Sequence, residues 1–138
     1  LALCYHYTHE EAILPLFERV TKYFIDHLPE DYVPYWDLIF SDGSCEPRDT
    51  SAAAIAACGI LEMEKYYHNQ EFLDIAKKMM SSLSEKYTTV DYLQSNGIIK
   101  DGMYSRKHGH KSECTSWGDY FYLEALMRMK KSDWKIYW

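Results

Sequence analysis

Nowhere in this sequence do two cysteines form a CxxC pair, and Cys4, Cys45, Cys58 and Cys114 show no zinc-finger spacing. Two disulfides, in three connectivities, are possible on paper. A chain long enough to bury a sizeable core needs no such staples, so free thiols and a reducing compartment are expected. Basic residues are in the minority: 15 Lys and Arg against 21 Asp and Glu leave a formal net charge of −6. That excludes a broad electrostatic footprint for nucleic acid. No apolar run reaches the roughly 18 residues of a membrane-spanning helix. The opening LALCYHYT is too short, and lacks the basic flank, for a signal peptide. No segment alternates at period two for long enough to demand a sheet. GIIKDGMYS offers one hairpin at most, with Asp101-Gly102 at its turn.

What remains is helical. The 138 residues fit one domain, 1–138, with an ordinary apolar share of 47% but a high aromatic share of 16%, including 13 Tyr and 4 Trp. Such rings suit cores and also the walls of wet clefts that bind ring-shaped ligands. The chain starts without Met at LALCYHY, as though inside a helix, and reads as part of a longer polypeptide. A second helix is expected from a Thr8/Glu11 capping box and an apolar stripe of Ile13, Phe17, Val20, Phe24 and Leu28. Pro15 requires either that its first turn begin near residue 14 or that the helix bend there. PEDYVP stops it, and an irregular passage runs from about 29 to 48. Asp49, Thr50 and Ser51 announce a third helix with a small-residue stripe, Ala52, Ile55, Ala56, Gly59 and Met63. Phe72, Ile75, Ala76, Met79, Met80, Leu83 and Tyr87 mark a fourth, amphipathic one. After a second irregular passage, 88–115, a Ser116/Asp119 capping box opens a last helix to about Lys130. Loops of that length carry function or are disordered, and Trp36, Asp37, Ser105 and the histidines favour function.

The sharpest local contrast is YSRKHGHKSECTSWGDYFYLEALMR, residues 104–128. A cluster of hydroxyl, cationic and imidazole groups around Gly109 abuts the start of an aromatic helix. Together with YVPYWDL (32–38), PRDTSAAAIAACGILEM (47–63), GMYSRKHGH (102–110) and TSWGDYFYLEALMR (115–128), it resembles the carboxy-terminal portion of the unsaturated glucuronyl hydrolases, essentially from residue 1 to Trp138. The resemblance implies an all-α, (α/α)6 toroid, the six-hairpin barrel, of which this chain would supply about five helices of twelve. It implies hydrolysis of 4,5-unsaturated glucuronic acid from the non-reducing end of lyase-generated glycosaminoglycan oligosaccharides, by hydration of the vinyl ether. No cofactor and no metal are implied. The partners implied are the unsaturated uronyl oligosaccharide and the amino-terminal half of the same chain, with no nucleic acid and no membrane. A cytoplasmic location is expected, with a periplasmic one left open.

The family's two catalytic aspartates lie in that other half, and no position here matches them, so no catalytic residue is assigned. Asp49 and Asp119 read as helix caps rather than acids, and Asp37, beside Trp36, is open between the two roles. The substrate-binding set is Trp36, Tyr104, Ser105, His108, His110, Lys111 and Trp117. The family's sulfate-reading pattern, Ser-x-x-Ser-x-Lys, falls on Ser105, His108 and His110. Only Ser105 matches, unless a one-residue slip brings Lys111 into the lysine's place. A hydroxyl, two imidazoles and an ammonium can still bind a sulfate or carboxylate. The competing readings are a solvated loop, and for His108, His110 and Cys114 an incomplete metal site. Trp117 and Trp36 either stack on a sugar or seal the barrel. A related unsaturated rhamnogalacturonyl hydrolase and a non-catalytic saccharide-binding module are the alternatives for function.

Overall fold

A computed structural model describes residues 1–107, 113–131 and 133–136. Five helices follow one another: α1 (Ala2–Thr8), α2 (Ile13–Asp26), α3 (Thr50–Met63), α4 (Gln70–Lys86) and α5 (Ser116–Lys130). Short turns join α1 to α2 and α3 to α4. The long passages 27–49 and 87–115 join α2 to α3 and α4 to α5, so both long loops gather at one end, where α3 and α5 begin. Among the described residues the only β pairing is three isolated antiparallel bridges.

Helix α3 sits at the centre, packed chiefly on α5 and α4. Its run of alanines explains this: Ala53, Ala54 and Ala57 are fully buried, and short side chains let neighbouring backbones come close. Gly118 of α5 meets this helix so tightly that a Cβ there would stand 3.2 Å from Ser51 Cβ and 2.7 Å from Thr115 Oγ1. The four-residue periodicity of α4 delivers Phe72, Ala76, Met79, Met80 and Leu83 to the same core. Each such large side chain contributes about 1.5–3 kcal/mol by leaving water.

Several expectations are corrected. Thr8 does not cap α2; it ends α1, donating its hydroxyl to Cys4 O at 2.7 Å, and α2 starts at Ile13 with no side-chain cap. Pro15 therefore falls in the first turn, where a missing N–H costs nothing. In α2, Phe17 and Thr21 are buried while Val20 is 48% exposed. In α3 the small stripe is the less covered side: Ile55 is exposed, and Ala52, Ala56 and Gly59 are half-buried. Only Met63 of that set is fully buried. Thr115, not Ser116, caps α5, accepting from Gly118 N at 3.2 Å. No hairpin turns at Asp101-Gly102. Gly102 instead exchanges two 2.8 Å hydrogen bonds with Glu113, so this dipeptide lies at the base of the following loop.

A cluster of charged side chains interrupts the core. Glu62, 2% exposed, accepts from Lys65 Nζ at 2.7 Å and from Arg128 Nη1. Arg128 also donates through Nε and Nη2 to Glu124 Oε1, at 2.9 and 2.6 Å. Burial by itself would raise the Glu62 carboxyl, but the hydrogen bonds and charges of Lys65 and Arg128 outweigh it and hold the group below its ordinary value. Cys4, Cys45, Cys58 and Cys114 are all free, and only Cys58 is buried.

Candidate functional site

The first long loop is held in shape by Arg48. Its Nη1 donates to Val33 O at 2.9 Å, and its guanidinium lies 3.9 Å over the Tyr35 ring and 3.4 Å from Asp31 Oδ1. Asp31 in turn accepts from Tyr87 Oη at 2.7 Å. Burial, and then this bond to a carboxylate, push the phenol above its usual range. The second loop is strapped to the start of α3. Thr50 Oγ1 donates to Lys100 O at 2.8 Å, Thr50 N donates to Asp101 O at 3.0 Å, and Met103 N donates to Asp49 Oδ1 at 3.2 Å.

These ties bring Trp36 from one loop against Tyr104 and Ser105 from the other. They share a cleft of about 430 Å³ with Asp49, Met103, Arg106 and Lys107. Three residues of the substrate-binding set therefore meet in one place although about seventy positions separate them in sequence. Trp117, on the first turn of α5, packs its ring against Tyr104, with centroids 5.9 Å apart. His108, His110 and Lys111 lie outside the described residues, and with them the reading of a metal site with Cys114.

The three aspartates singled out in the sequence are engaged with backbone. Asp49 Oδ1 accepts from Ser51 N, Ser51 Oγ, Ala52 N and Met103 N, which makes it the expected cap and also the anchor of the second loop. Asp37 accepts from Ile39 N at 3.1 Å, a local turn. Asp119 does not serve a capping box; it accepts from Ile98 N and Ile99 N.

Glu46 and Arg106 are the residues that sequence reasoning did not assign. Glu46 Oε2 accepts from Trp36 Nε1 at 2.8 Å and lies 3.3 Å from Arg106 Nε. No spacing rule marks Glu46, because one partner is ten residues away and the other lies in a different loop. The cleft thus offers two aromatic faces, a hydroxyl and two cations beside two bound carboxylates, Asp49 and Glu46. This equipment suits an anionic sugar: rings stack on its apolar face while guanidinium and ammonium groups meet its charge.

Helical hairpins with long loops collected at one end, around a cleft of this kind, fit the segment of an α/α toroid that the resemblance implies. No protein-family model matches the chain. Individual proteins do. The unsaturated chondroitin disaccharide hydrolase of Streptococcus pneumoniae is 44% identical over all of this chain and 36% of its own length. The unsaturated glucuronyl hydrolase of Bacillus sp. GL1 is 36% identical over 94% of the chain and 36% of its own length. Among solved structures, the unsaturated glucuronyl hydrolase of Streptococcus agalactiae superposes with a TM-score of 0.93 at 43% identity, over 99% of this chain and 36% of that one. A mutant of it complexed with dGlcA-GalNAc6S gives 0.92. The chain is thus similar over essentially its whole length to unsaturated glucuronyl hydrolases, and it spans a little over a third of the length of these relatives.

Proposed function

We propose that the chain forms the substrate-binding wall of a glycosidase that removes 4,5-unsaturated glucuronic acid from the non-reducing end of lyase-generated glycosaminoglycan oligosaccharides. The observation that carries this reading is the likeness, over 99% of the chain, to an enzyme complexed with dGlcA-GalNAc6S, together with the aromatic and cationic cleft at the loop end of the helices. Trp36, Tyr104, Ser105 and Trp117, with His108, His110 and Lys111 of the same loop, hold the saccharide beyond the bond that is lost. A carboxylic acid from the rest of the toroid gives its proton to the double bond, and water adds at the neighbouring carbon. The hemiketal so formed opens, and the glycosidic bond breaks.

The remainder of the toroid is the chain's proposed partner. Two features support this. Glu124 Oε2 is buried without a hydrogen-bond partner among the described residues, an arrangement that calls for a donor. Tyr120, Leu123, Leu126 and Met129 leave an apolar edge of α5 open, as Val20 and Ile55 do on α2 and α3. Three exposed free thiols, Cys4, Cys45 and Cys114, support a cytoplasmic setting. No helix among the described residues is long and apolar enough to cross a membrane.

The test uses the parent polypeptide obtained by reading the gene upstream. Incubation with unsaturated chondroitin and heparin disaccharides, followed by the ultraviolet absorbance of the conjugated double bond, is expected to show that absorbance disappear. A folded parent that leaves every unsaturated uronide intact would favour a saccharide-binding module instead.

A further inference from the structure

Trp36 and Arg106 belong to different loops, yet one carboxylate oxygen touches both. Glu46 Oε2 takes the indole N–H at 2.8 Å and sits 3.3 Å from the Arg106 Nε. An ion pair made at the Nε side of a guanidinium leaves its terminal pair of N–H groups pointing away, toward a second, planar or tetrahedral anion. Bonding through Nε1 fixes the edge of an indole and so the tilt of its face. Glu46 is only 28% exposed, whereas Arg106 is 47% exposed. The carboxylate is therefore the better-ordered member and the guanidinium the one that meets ligand. Glu46 has its own brace, its backbone N–H donating to Ser44 Oγ at 3.1 Å.

We propose that Glu46 is a positioning residue of the cleft. It sets the stacking face of Trp36 and the cation of Arg106 at a fixed separation, and Arg106 reads a sulfate ester on the sugar held against that face. This rests on the hydrolase reading above and names a specificity device within it. Arg106 would also supply a cation next to Ser105, in a loop whose His108 and His110 replace the residues expected to read sulfate.

Glu46 carries charge opposite to its neighbour, which separates position from electrostatics. In Glu46→Gln an oxygen of the same shape still accepts from Trp36 and stays beside Arg106, while the negative charge near the sulfate is removed. In Glu46→Ala both contacts are lost. The experiment measures kcat and KM of the parent enzyme and its variants on 6-sulfated and unsulfated unsaturated chondroitin disaccharides. Arg106→Ala is expected to raise KM for the sulfated sugar about tenfold more than for the unsulfated one, the scale of a charge-assisted hydrogen bond. Glu46→Ala is expected to raise KM for both, the sulfated more, with the larger change in KM rather than kcat. Glu46→Gln should restore most of the loss. Equal effects of Arg106→Ala on the two sugars, or Glu46→Gln as poor as Glu46→Ala, would overturn the proposal. A wild-type parent inactive on both sugars would overturn the hydrolase reading and this inference with it. An active wild type with unaffected variants would overturn only this inference.

Discussion

Asp119 Oδ1 accepts hydrogen bonds from two successive backbone groups, Ile98 N and Ile99 N, both at 3.0 Å. One side chain on the first turn of α5 thus pins the segment that leads into the cleft loop. Ile99 is 1% exposed, so its N–H has no ready access to water. Asp119→Ala is expected to destabilise the protein by about 1–3 kcal/mol, the cost of leaving buried donors unmet. Asp119→Asn, which keeps an acceptor, should lose less. Urea titration of the two variants checks the order.

The Glu62–Arg128–Glu124 group makes a pH prediction. Glu62 is held below its ordinary value of 4.5 in the folded protein, so its bonds contribute stability that is complete above that value. This contribution is lost as pH falls through the lower, folded-state pKa. Arg128→Met leaves Glu124 buried without its cation and Glu62 with Lys65 alone, and should cost about 3–5 kcal/mol at neutral pH. Because Glu62 then loses part of what holds its carboxyl low, acid should relieve part of the defect. Chemical denaturation of both proteins at pH 7 and pH 4 measures the crossing trend, and parallel losses would argue against the pairing.

Cys58 differs from the other cysteines. Burial, followed by the nearby Glu124 carboxylate, pushes its thiol up to about 12, and its S–H donates to Phe121 O at 3.1 Å. Reaction with a thiol-specific chromogenic disulfide at pH 8 is expected to proceed in two phases. Cys4, Cys45 and Cys114 react first, and Cys58 reacts only when the fold opens. Four equivalent rates would contradict this packing.

Replacing Ser105 and His108 together by Ala should weaken turnover of sulfated substrates more than of unsulfated ones. An equal loss on both would reject a sulfate-reading role for that loop and leave it a role in general saccharide contact.

The apolar edge of α5 predicts how the 138-residue chain behaves alone. With Leu123 47% and Met129 46% exposed, it should associate or bind a hydrophobic dye. Light scattering across a concentration series would show this. A monomer with a sharp, reversible melt would count against packing by further helices.

Helix identity in this protein is a local matter, and the sequence determined it. The period of Phe72 through Leu83 and the Asp49-Thr50-Ser51 start each depend on residues within a turn of one another, so α3 and α4 were legible from the chain alone. The same holds for the long loops, marked by the loss of that period. Partnerships across distance were not legible. Asp119 reads locally as the far half of a capping box, but a carboxylate on a first turn goes to whichever free N–H groups lie nearest, and folding brought Ile98 and Ile99 there. The stripe Ala52, Ile55, Ala56 and Gly59 reads as a packing face, yet α4 and α5 took the other sides of α3. Which side of a helix is covered depends on how many neighbours surround it, and no period within the helix records that. The cleft belongs to this second kind. Trp36, Tyr104 and Ser105 could be picked out as types, but Glu46 acquires a purpose only once the two loops meet and its carboxylate can span them.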